Sequence, residues 1–138
     1  MPVPFSGGCR CGTVRYGCIT EPAMTVHCHC RDCQYATGSG FATVIAVPKD
    51  GFNMLKGEVK GYTVTATSGG DVKREFCVEC GSPLFSWVDA LPDVVFVKAG
   101  SQDDPSWLKP EMMLWTASVP PWAAHAHELP TVPGNPEL

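Results

Sequence analysis

The segment "HCHCRDCQYATGS", residues 27–39, places three cysteines within six residues. A structural zinc site takes four ligands and a disulfide takes two cysteines, so a group of three fits neither arrangement by itself. The interpretation of this segment therefore depends on the other cysteines of the chain.

Two further cysteine pairs flank this segment along the chain. The eight cysteines are Cys28, Cys30 and Cys33 in the segment, the pairs Cys9/Cys11 and Cys77/Cys80, and the isolated Cys18. Residues two apart in an extended segment point to the same face, and a tight turn has the same effect for Cys-x-x-Cys. We therefore expect the two pairs to form one closed zinc site with four thiolates, and the glycine after each pair fits a turn with a positive φ.

The three cysteines of residues 27–39 then remain as a second ligand set. Three protein ligands with an open fourth position are typical of a catalytic zinc. The alternative is a second closed site in which Cys18 arrives from a neighbouring strand. His27 and His29 are poorer fourth ligands, because each is adjacent to a cysteine of the set and points the other way in an extended segment.

An open site with three thiolates favours thiol chemistry over hydrolysis. Three thiolates and one Zn²⁺ carry about one net negative charge, so such a centre activates water weakly. Zinc binds thiolates strongly and holds an incoming thiol deprotonated at neutral pH. We therefore predict that Cys28, Cys30 and Cys33 form a catalytic site that takes a small thiol as its fourth ligand.

All four arginines lie within four positions of a cysteine. Charge balance beside thiolates explains this clustering, and a planar guanidinium also suits a carboxylate of a small thiol ligand. Arg31, between two ligands of the open site, is the first candidate for such a contact and Arg74 is the second. Ser39 is a further candidate, although its glycine-flanked position equally fits a simple turn.

The composition indicates a globular chain without a basic surface. Its 138 residues are 44% apolar and carry a net charge of -4, which argues against binding to nucleic acid or to an anionic membrane. No apolar run approaches the ~18 residues of a membrane span. The first ten residues lack the features of a secretory signal, so we expect a cytoplasmic protein whose thiols are reduced.

Short segments with alternating or β-branched residues, separated by Gly and Pro turns, predict a mainly β fold. These segments are "TVRYGCI", "FATVIAV", "GYTVTAT", "VKREF", "PLFSWV" and "VVFVKAG". We expect two antiparallel sheets packed face to face, with short helical turns after Cys33 and at residues 122–127. Residues 1–128 form the predicted single domain, and residues 129–138 form a Pro-rich C-terminal tail.

The motifs resemble those of the glutathione-dependent formaldehyde-activating family, whose domain is shared with centromere protein V. The matching segments are "GGCRCGTVRY" (7–16), "CHCRDCQYATGSGF" (28–41), "REFCVECGSPLF" (74–85), "GSQDDP" (100–105) and "PPW" (120–122). The resemblance implies a tent-like sandwich stapled by zinc, with two zincs per chain: a structural one on the four cysteines and a catalytic one on the three.

The implied activity is that of a carbon-sulfur lyase acting on S-hydroxymethylglutathione, which forms from glutathione and formaldehyde. A glutathione-like thiol and an aldehyde are thus the expected partners. The alternative is a non-catalytic zinc module that binds a thiol or a protein. One departure concerns Met112, which stands where many members carry a histidine that could act as a proton carrier.

Overall fold

The computed structural model describes residues 3–137, so the first two residues of the predicted domain and the last residue of the predicted tail lie outside the described residues. The strands are β1 (Phe5–Gly8), β2 (Arg15–Cys18), β3 (Met24–Cys28), β4 (Ala42–Pro48), β5 (Phe52–Lys56), β6 (Val59–Thr65), β7 (Asp71–Cys77), β8 (Pro83–Val88), β9 (Val94–Lys98) and β10 (Met112–Leu114). The α-helices are α1 (Arg31–Thr37) and α2 (Pro121–Ala124). Short 3-10 helices lie at Lys49–Gly51, Ala99–Ser101, Thr116–Ser118 and Ala126–Glu128.

The strands form two sheets, which confirms the predicted mainly β fold. A three-stranded sheet has the order β1-β2-β5, and a seven-stranded sheet has the order β10-β3-β4-β9-β8-β7-β6. All neighbouring strands are antiparallel except β10 and β3. This parallel pair is possible because a long connection from β9 brings β10 back to the far edge of the sheet, where a tight hairpin could not reach.

The main core lies between the two sheets. Alternation with a period of two directs Ile45 and Val47 of β4, and Val95 and Val97 of β9, to one face of the large sheet. There they pack with Tyr16 of the small sheet, which is wholly buried. Burial of such side chains is the main favourable term for folding, and it fixes the register of the strands that carry them.

The opposite face of the large sheet, here called the outer face, carries a second and smaller cluster. Val26, Cys33, Ala42 and Val44 are its buried members, and Cys28, Cys30, Phe96 and Leu114 pack against them. Helix α1 begins on this face directly after β3. The outer face therefore combines the cysteines of the predicted open site with apolar side chains of the sheet.

Both predicted helical turns are present, with different limits from those expected. The first begins at Arg31, two residues before Cys33, because Cys30 caps the helix. The second is divided into α2 and the 3-10 helix Ala126–Glu128. None of the helices in residues 3–137 has the length and apolar character needed to cross a membrane.

Candidate metal centres and active site

Four cysteine sulfurs converge where the two sheets meet. Cys9 and Cys11 lie in the connection between β1 and β2, whereas Cys77 ends β7 and Cys80 lies in the turn before β8. The four sulfurs all lie within 4.8 Å of one another. The Cys9 and Cys11 sulfurs are 3.5 Å apart, and those of Cys11 and Cys77 are 3.8 Å apart. These residues can hold a metal ion, and four thiols are the donor set that zinc takes in closed sites.

The turns that carry these cysteines have the backbone that the sequence predicted. Gly12 has a φ of 83° and Gly81 has a φ of 76°. An L side chain is strained in this left-handed region, so glycine is the residue that lets each turn close. A hydrogen bond with the Ser82 hydroxyl, assisted by the backbone N–H of Ser82, lowers the pKa of the Cys80 thiol to about 5. The turn thus favours the thiolate that a metal ligand must present.

The second cluster is built from the end of β3 and the start of α1. Cys28 ends the strand, Cys30 is the N-cap of the helix, and Cys33 lies in its first turn. Their sulfurs all lie within 4.8 Å of one another. The Cys33 backbone N–H donates a hydrogen bond to the Cys30 sulfur at 3.3 Å, which satisfies one of the free N–H groups at the helix start.

No fourth ligand joins this cluster within residues 3–137. Among the described His, Cys, Asp and Glu residues, no further ligand atom lies within 4.8 Å of all three sulfurs. His27 Nδ1 is 2.8 Å from the Thr43 hydroxyl, and His29 Nδ1 is 3.2 Å from the Leu114 carbonyl oxygen. Cys18 is wholly buried in the main core, where burial raises the pKa of its thiol to about 11.

Two buried cations lie beside the three thiols. Arg74 on β7 and Lys98 on β9 are 8% and 7% exposed, and Arg74 Nη2 lies 3.9 Å from the Cys33 sulfur. No carboxylate of the described residues forms an ion pair with either cation. Burial lowers the pKa of Lys98, and the nearby Cys33 opposes this shift. No carboxylate of the described residues therefore competes with the thiol site for either side chain.

Two other predicted contacts have different neighbours. Arg31 is exposed, stacks over the Tyr35 ring at 4.8 Å, and donates a hydrogen bond to the Gln34 side chain. Ser39 is also exposed, and its backbone N–H donates to the Thr37 hydroxyl at 3.2 Å. The structure thus brings Arg74, but not Arg31 or Ser39, to the cavity described next.

A cavity of about 280 Å³, here called the thiol cavity, opens over the three cysteines on the outer face. Arg74, Lys98 and Ser86 line it together with apolar side chains of the large sheet. Arg74 Nε and Ser86 Oγ are buried and have no hydrogen-bond partner among the described residues. Buried polar atoms without a partner are uncommon in folded proteins, so these two donors mark a place where a ligand can bind. Met112 is exposed on the edge strand and does not line this cavity.

A larger and more polar cavity of about 630 Å³ lies next to the thiol cavity, and we call it the polar cavity. Arg10, Thr43 and Gln102 are among its lining residues, and Lys98 lines both cavities.

Sequence reasoning missed Lys98 and Ser86. The available signal for Lys98 was its position in "VVFVKAG", where a charge stands at the end of an otherwise apolar strand.

Comparison with known proteins relates both clusters to one family. The sequence model of the family described as "Glutathione-dependent formaldehyde-activating enzyme" matches residues 4–118, a range that contains all eight cysteines and the residues that line both cavities. A crystal structure of a Rhodobacter sphaeroides protein is similar in fold, with a TM-score of 0.61 at 19% identity, over 78% of this chain and 98% of that one. No curated protein matches the chain.

Proposed function

The chain belongs to the glutathione-dependent formaldehyde-activating enzyme family, and on that premise we propose that it is a zinc-dependent carbon-sulfur lyase. It joins glutathione or a similar small thiol to an aldehyde such as formaldehyde, or releases the thiol from that adduct. In this proposal Cys9, Cys11, Cys77 and Cys80 hold a structural zinc, and the other three clustered cysteines hold the catalytic one.

The observation that carries the proposal is the open set of three thiols. The sulfurs of Cys28, Cys30 and Cys33 lie within 4.8 Å of one another at a cavity, and no further ligand of residues 3–137 joins them. Zinc bound by these residues would supply a position at which a substrate thiol is held as the thiolate. No ring nitrogen of His27 or His29 lies within 4.8 Å of all three sulfurs, and Cys18 is buried in the main core. Both observations weigh against a closed site that only binds metal.

Charge balance at the thiol cavity also favours an incoming thiolate. Three thiolates and one Zn²⁺ together carry about one negative charge. Arg74 and Lys98 add two positive charges at buried positions without a carboxylate partner in the described residues. One more anion would neutralise the site, and the deprotonated substrate thiol is that anion.

The residues of the two cavities can then divide the binding of the two substrates. Glutathione carries two carboxylates and one ammonium group, and these charged groups suit the polar cavity with Arg10 and Lys98. The aldehyde would occupy the thiol cavity, with Arg74 and Ser86 as hydrogen-bond donors for its oxygen. Arg31 and Ser39 remain proposed contacts only for parts of the thiol that extend beyond the cavities.

The reaction needs no oxidant or reductant. The thiolate sulfur forms a bond to the carbonyl carbon, the π electron pair moves to the carbonyl oxygen, and that oxygen takes up the proton lost by the thiol. Buried donors directed at the oxygen would stabilise the charge that develops there. The reverse sequence releases aldehyde and thiol, which is the lyase direction.

The first experiment is to measure zinc content by elemental analysis and to count reactive thiols, with and without glutathione. We expect two zincs per chain, with glutathione protecting only the three-cysteine site, because only that site has room for a fourth ligand. The Cys18→Ala variant is the control and should retain both zincs. One zinc per chain, loss of zinc from Cys18→Ala, or two zincs indifferent to glutathione would contradict the proposal.

A second measurement addresses turnover directly. The adduct of formaldehyde and glutathione forms and dissociates without a catalyst, so the rate to measure is the exchange between free and adducted glutathione by NMR. The zinc-loaded protein should raise this exchange rate above that of buffer. An unchanged exchange rate would overturn the enzymatic assignment even if glutathione binds.

A further inference from the structure

The thiol cavity is much larger and more apolar than formaldehyde requires. Formaldehyde has two non-hydrogen atoms, whereas the cavity volume of about 280 Å³ is close to the lower end of the ~300–1,000 Å³ of small-molecule pockets. Six adjacent strands each contribute one apolar side chain to its lining: Leu114, Val26, Val44, Phe96, Val88 and Val72. A ligand with an apolar group would bury that group against this wall, whereas formaldehyde would leave most of the wall uncovered.

The register of the strands divides this wall into two apolar parts. Val26 pairs with Val44 across β3 and β4, and Val72 pairs with Val88 across β7 and β8. Since paired residues share a face of the sheet, the first pair lies on the outer face near Cys28. The second pair lies farther away, and Lys98 and Ser86 stand between the two pairs. Leu91 and Trp115, which are 48% and 50% exposed, line the same cavity where it opens to solvent.

Trp115 reaches the cavity from an unusual backbone conformation. Its φ of 57° and ψ of 43° lie in the left-handed region, which is strained for a bulky residue. Hydrogen bonds fix the backbone on either side, from the His29 N–H to the Leu114 carbonyl and from the Gln34 amide to the Ser118 carbonyl. The fold therefore holds an indole ring at the mouth of an apolar cavity although a tryptophan is costly at that position.

The polar groups of the thiol cavity lie between its two valine pairs, with Lys98 paired to Val44 across β4 and β9. Ser86 stands between Phe96 and Arg74 in the strand pairing, is 6% exposed, and its Oγ has no partner among the described residues. An aldehyde oxygen can accept its hydrogen bond. Val72, Val88 and Leu91 offer no partner to the charged groups of glutathione, and burying those groups there would be costly. The part of the wall beyond Ser86 thus suits the second substrate and not the body of the thiol.

We propose that the aldehyde taken by this site carries an apolar substituent of about hexanal or benzaldehyde size, whose chain lies on the valine wall and whose oxygen binds Ser86. This inference rests on the proposed function and specifies its carbonyl substrate. The product is the thiohemiacetal: the sulfur bonds to the carbonyl carbon and the oxygen keeps the proton given up by the thiol. No other co-reactant is needed.

Binding of stable analogues of the adduct tests whether the ligand contacts the apolar wall, and the measurement needs no turnover. Calorimetry on the zinc-loaded protein compares S-hexylglutathione with S-methylglutathione, which differ by five methylene groups. Burying this extra apolar surface should tighten binding by roughly tenfold or more, even after ordering costs. Equal affinity for the two thioethers would overturn the inference.

Two variants and a matched control test which residues bind the hexyl group and the carbonyl oxygen. Val88→Phe fills the cavity and should abolish the preference for the hexyl group while leaving S-methylglutathione binding unchanged. Val132→Phe makes the same substitution at an exposed position of the tail and should preserve the preference. Ser86→Ala should keep the affinity for S-hexylglutathione, which has no carbonyl oxygen, but lower kcat/KM for hexanal by about tenfold. If Val88→Phe does not fold, the comparison of the two thioethers still decides the question.

NMR exchange kinetics separates this inference from the proposed function. Faster exchange with hexanal than with formaldehyde supports both. Catalysed exchange with formaldehyde but not with hexanal overturns the inference and leaves the lyase assignment standing. Absence of catalysed exchange with either aldehyde removes the lyase assignment, and the inference with it.

Discussion

Cys30 has two structural roles that a single substitution can separate. Its sulfur is one of the three clustered thiols, and it also accepts the hydrogen bond that caps α1. With only seven residues, α1 is too short to be stable by itself, so its cap and its packing on the outer face must hold it. The residue therefore couples the folding of a helix to the assembly of the proposed metal site.

We expect Cys30→Ser to lose the second zinc and thiol-dependent turnover while the protein stays folded. The serine hydroxyl can cap α1 as well as the sulfur does, but it is a poor zinc ligand at neutral pH. Elemental analysis, circular dichroism and the exchange assay measure these outcomes.

Cys30→Ala serves as the comparison for the cap. It should lose the same zinc and, in addition, about 1 kcal/mol of stability, because no side-chain atom then accepts the Cys33 N–H. Persistent turnover by Cys30→Ser would show that the three-cysteine site is not where the reaction occurs.

The connection from β9 to β10 is attached to the small sheet by Asp103. Its carboxylate accepts hydrogen bonds from both terminal nitrogens of Arg15 on β2 and from the Ser6 hydroxyl on β1. The bond from Arg15, the largest cause, holds the pKa of Asp103 below its usual range. One acidic residue thus joins two strands of the small sheet to the connection that leads to the thiol cavity.

This carboxylate should stabilise the fold in a pH-dependent way. Because the pKa of Asp103 is lower in the folded state, its contribution is present above the unfolded pKa of ~4 and is lost as the pH falls through the folded pKa. The side chains of Arg15 and Asp103 are 34% and 51% exposed, so solvent screening limits the contribution to about 0.5–1 kcal/mol.

Asp103→Asn should lower the free energy of unfolding at pH 7 by that amount, and the deficit should shrink as the pH falls below ~4. Urea unfolding of both proteins at a series of pH values measures this difference in the free energy of unfolding. Acid acts on the metal ligands of both proteins alike, so its effect cancels in the difference. Asp50→Asn, at an exposed aspartate without an ion pair in the described residues, is the control. A deficit independent of pH would assign the effect of Asp103 to packing.

At the scale of the molecule, the four-cysteine cluster is a link between the two sheets. It brings the connection between β1 and β2 to the turn between β7 and β8, and 66 positions separate Cys11 from Cys77. By the loop-closure estimate, a crosslink over that distance removes about 4 kcal/mol of chain entropy from the unfolded state. A metal in this cluster would therefore act on the stability of both sheets together.

Cys80→Ser should release the structural zinc and lower the free energy of unfolding by roughly 4 kcal/mol. Zinc analysis with thermal and urea unfolding measures the effect. Val78→Ala changes an exposed residue of the same turn and should leave zinc content and stability nearly unchanged. Zinc loss without a change in stability would mean that the main core alone holds the sheets together.

Much of the architecture was predictable because its signals are local. The segment "PLFSWV" coincides with β8, and the β-branched runs correspond to β4 and β9. Sequence reasoning missed β1, β3, β5 and β10, which are three to five residues long and contain glycine, methionine or cysteine in place of a β-branched run. Their pairing with neighbouring strands, rather than their own propensity, makes them strands.

The sequence by itself determined the two cysteine clusters, the family and the mainly β fold, because ligand spacing, turn glycines and alternation act over a few residues. Only the tertiary structure decided what surrounds the three thiols. It placed Lys98 and Ser86 beside them, left Arg31 and Ser39 outside the cavity, and assembled an apolar wall from six strands. The physical reason is that the lining of a cavity depends on strand order and register, which link residues far apart in the chain and are fixed by burial of the core as a whole.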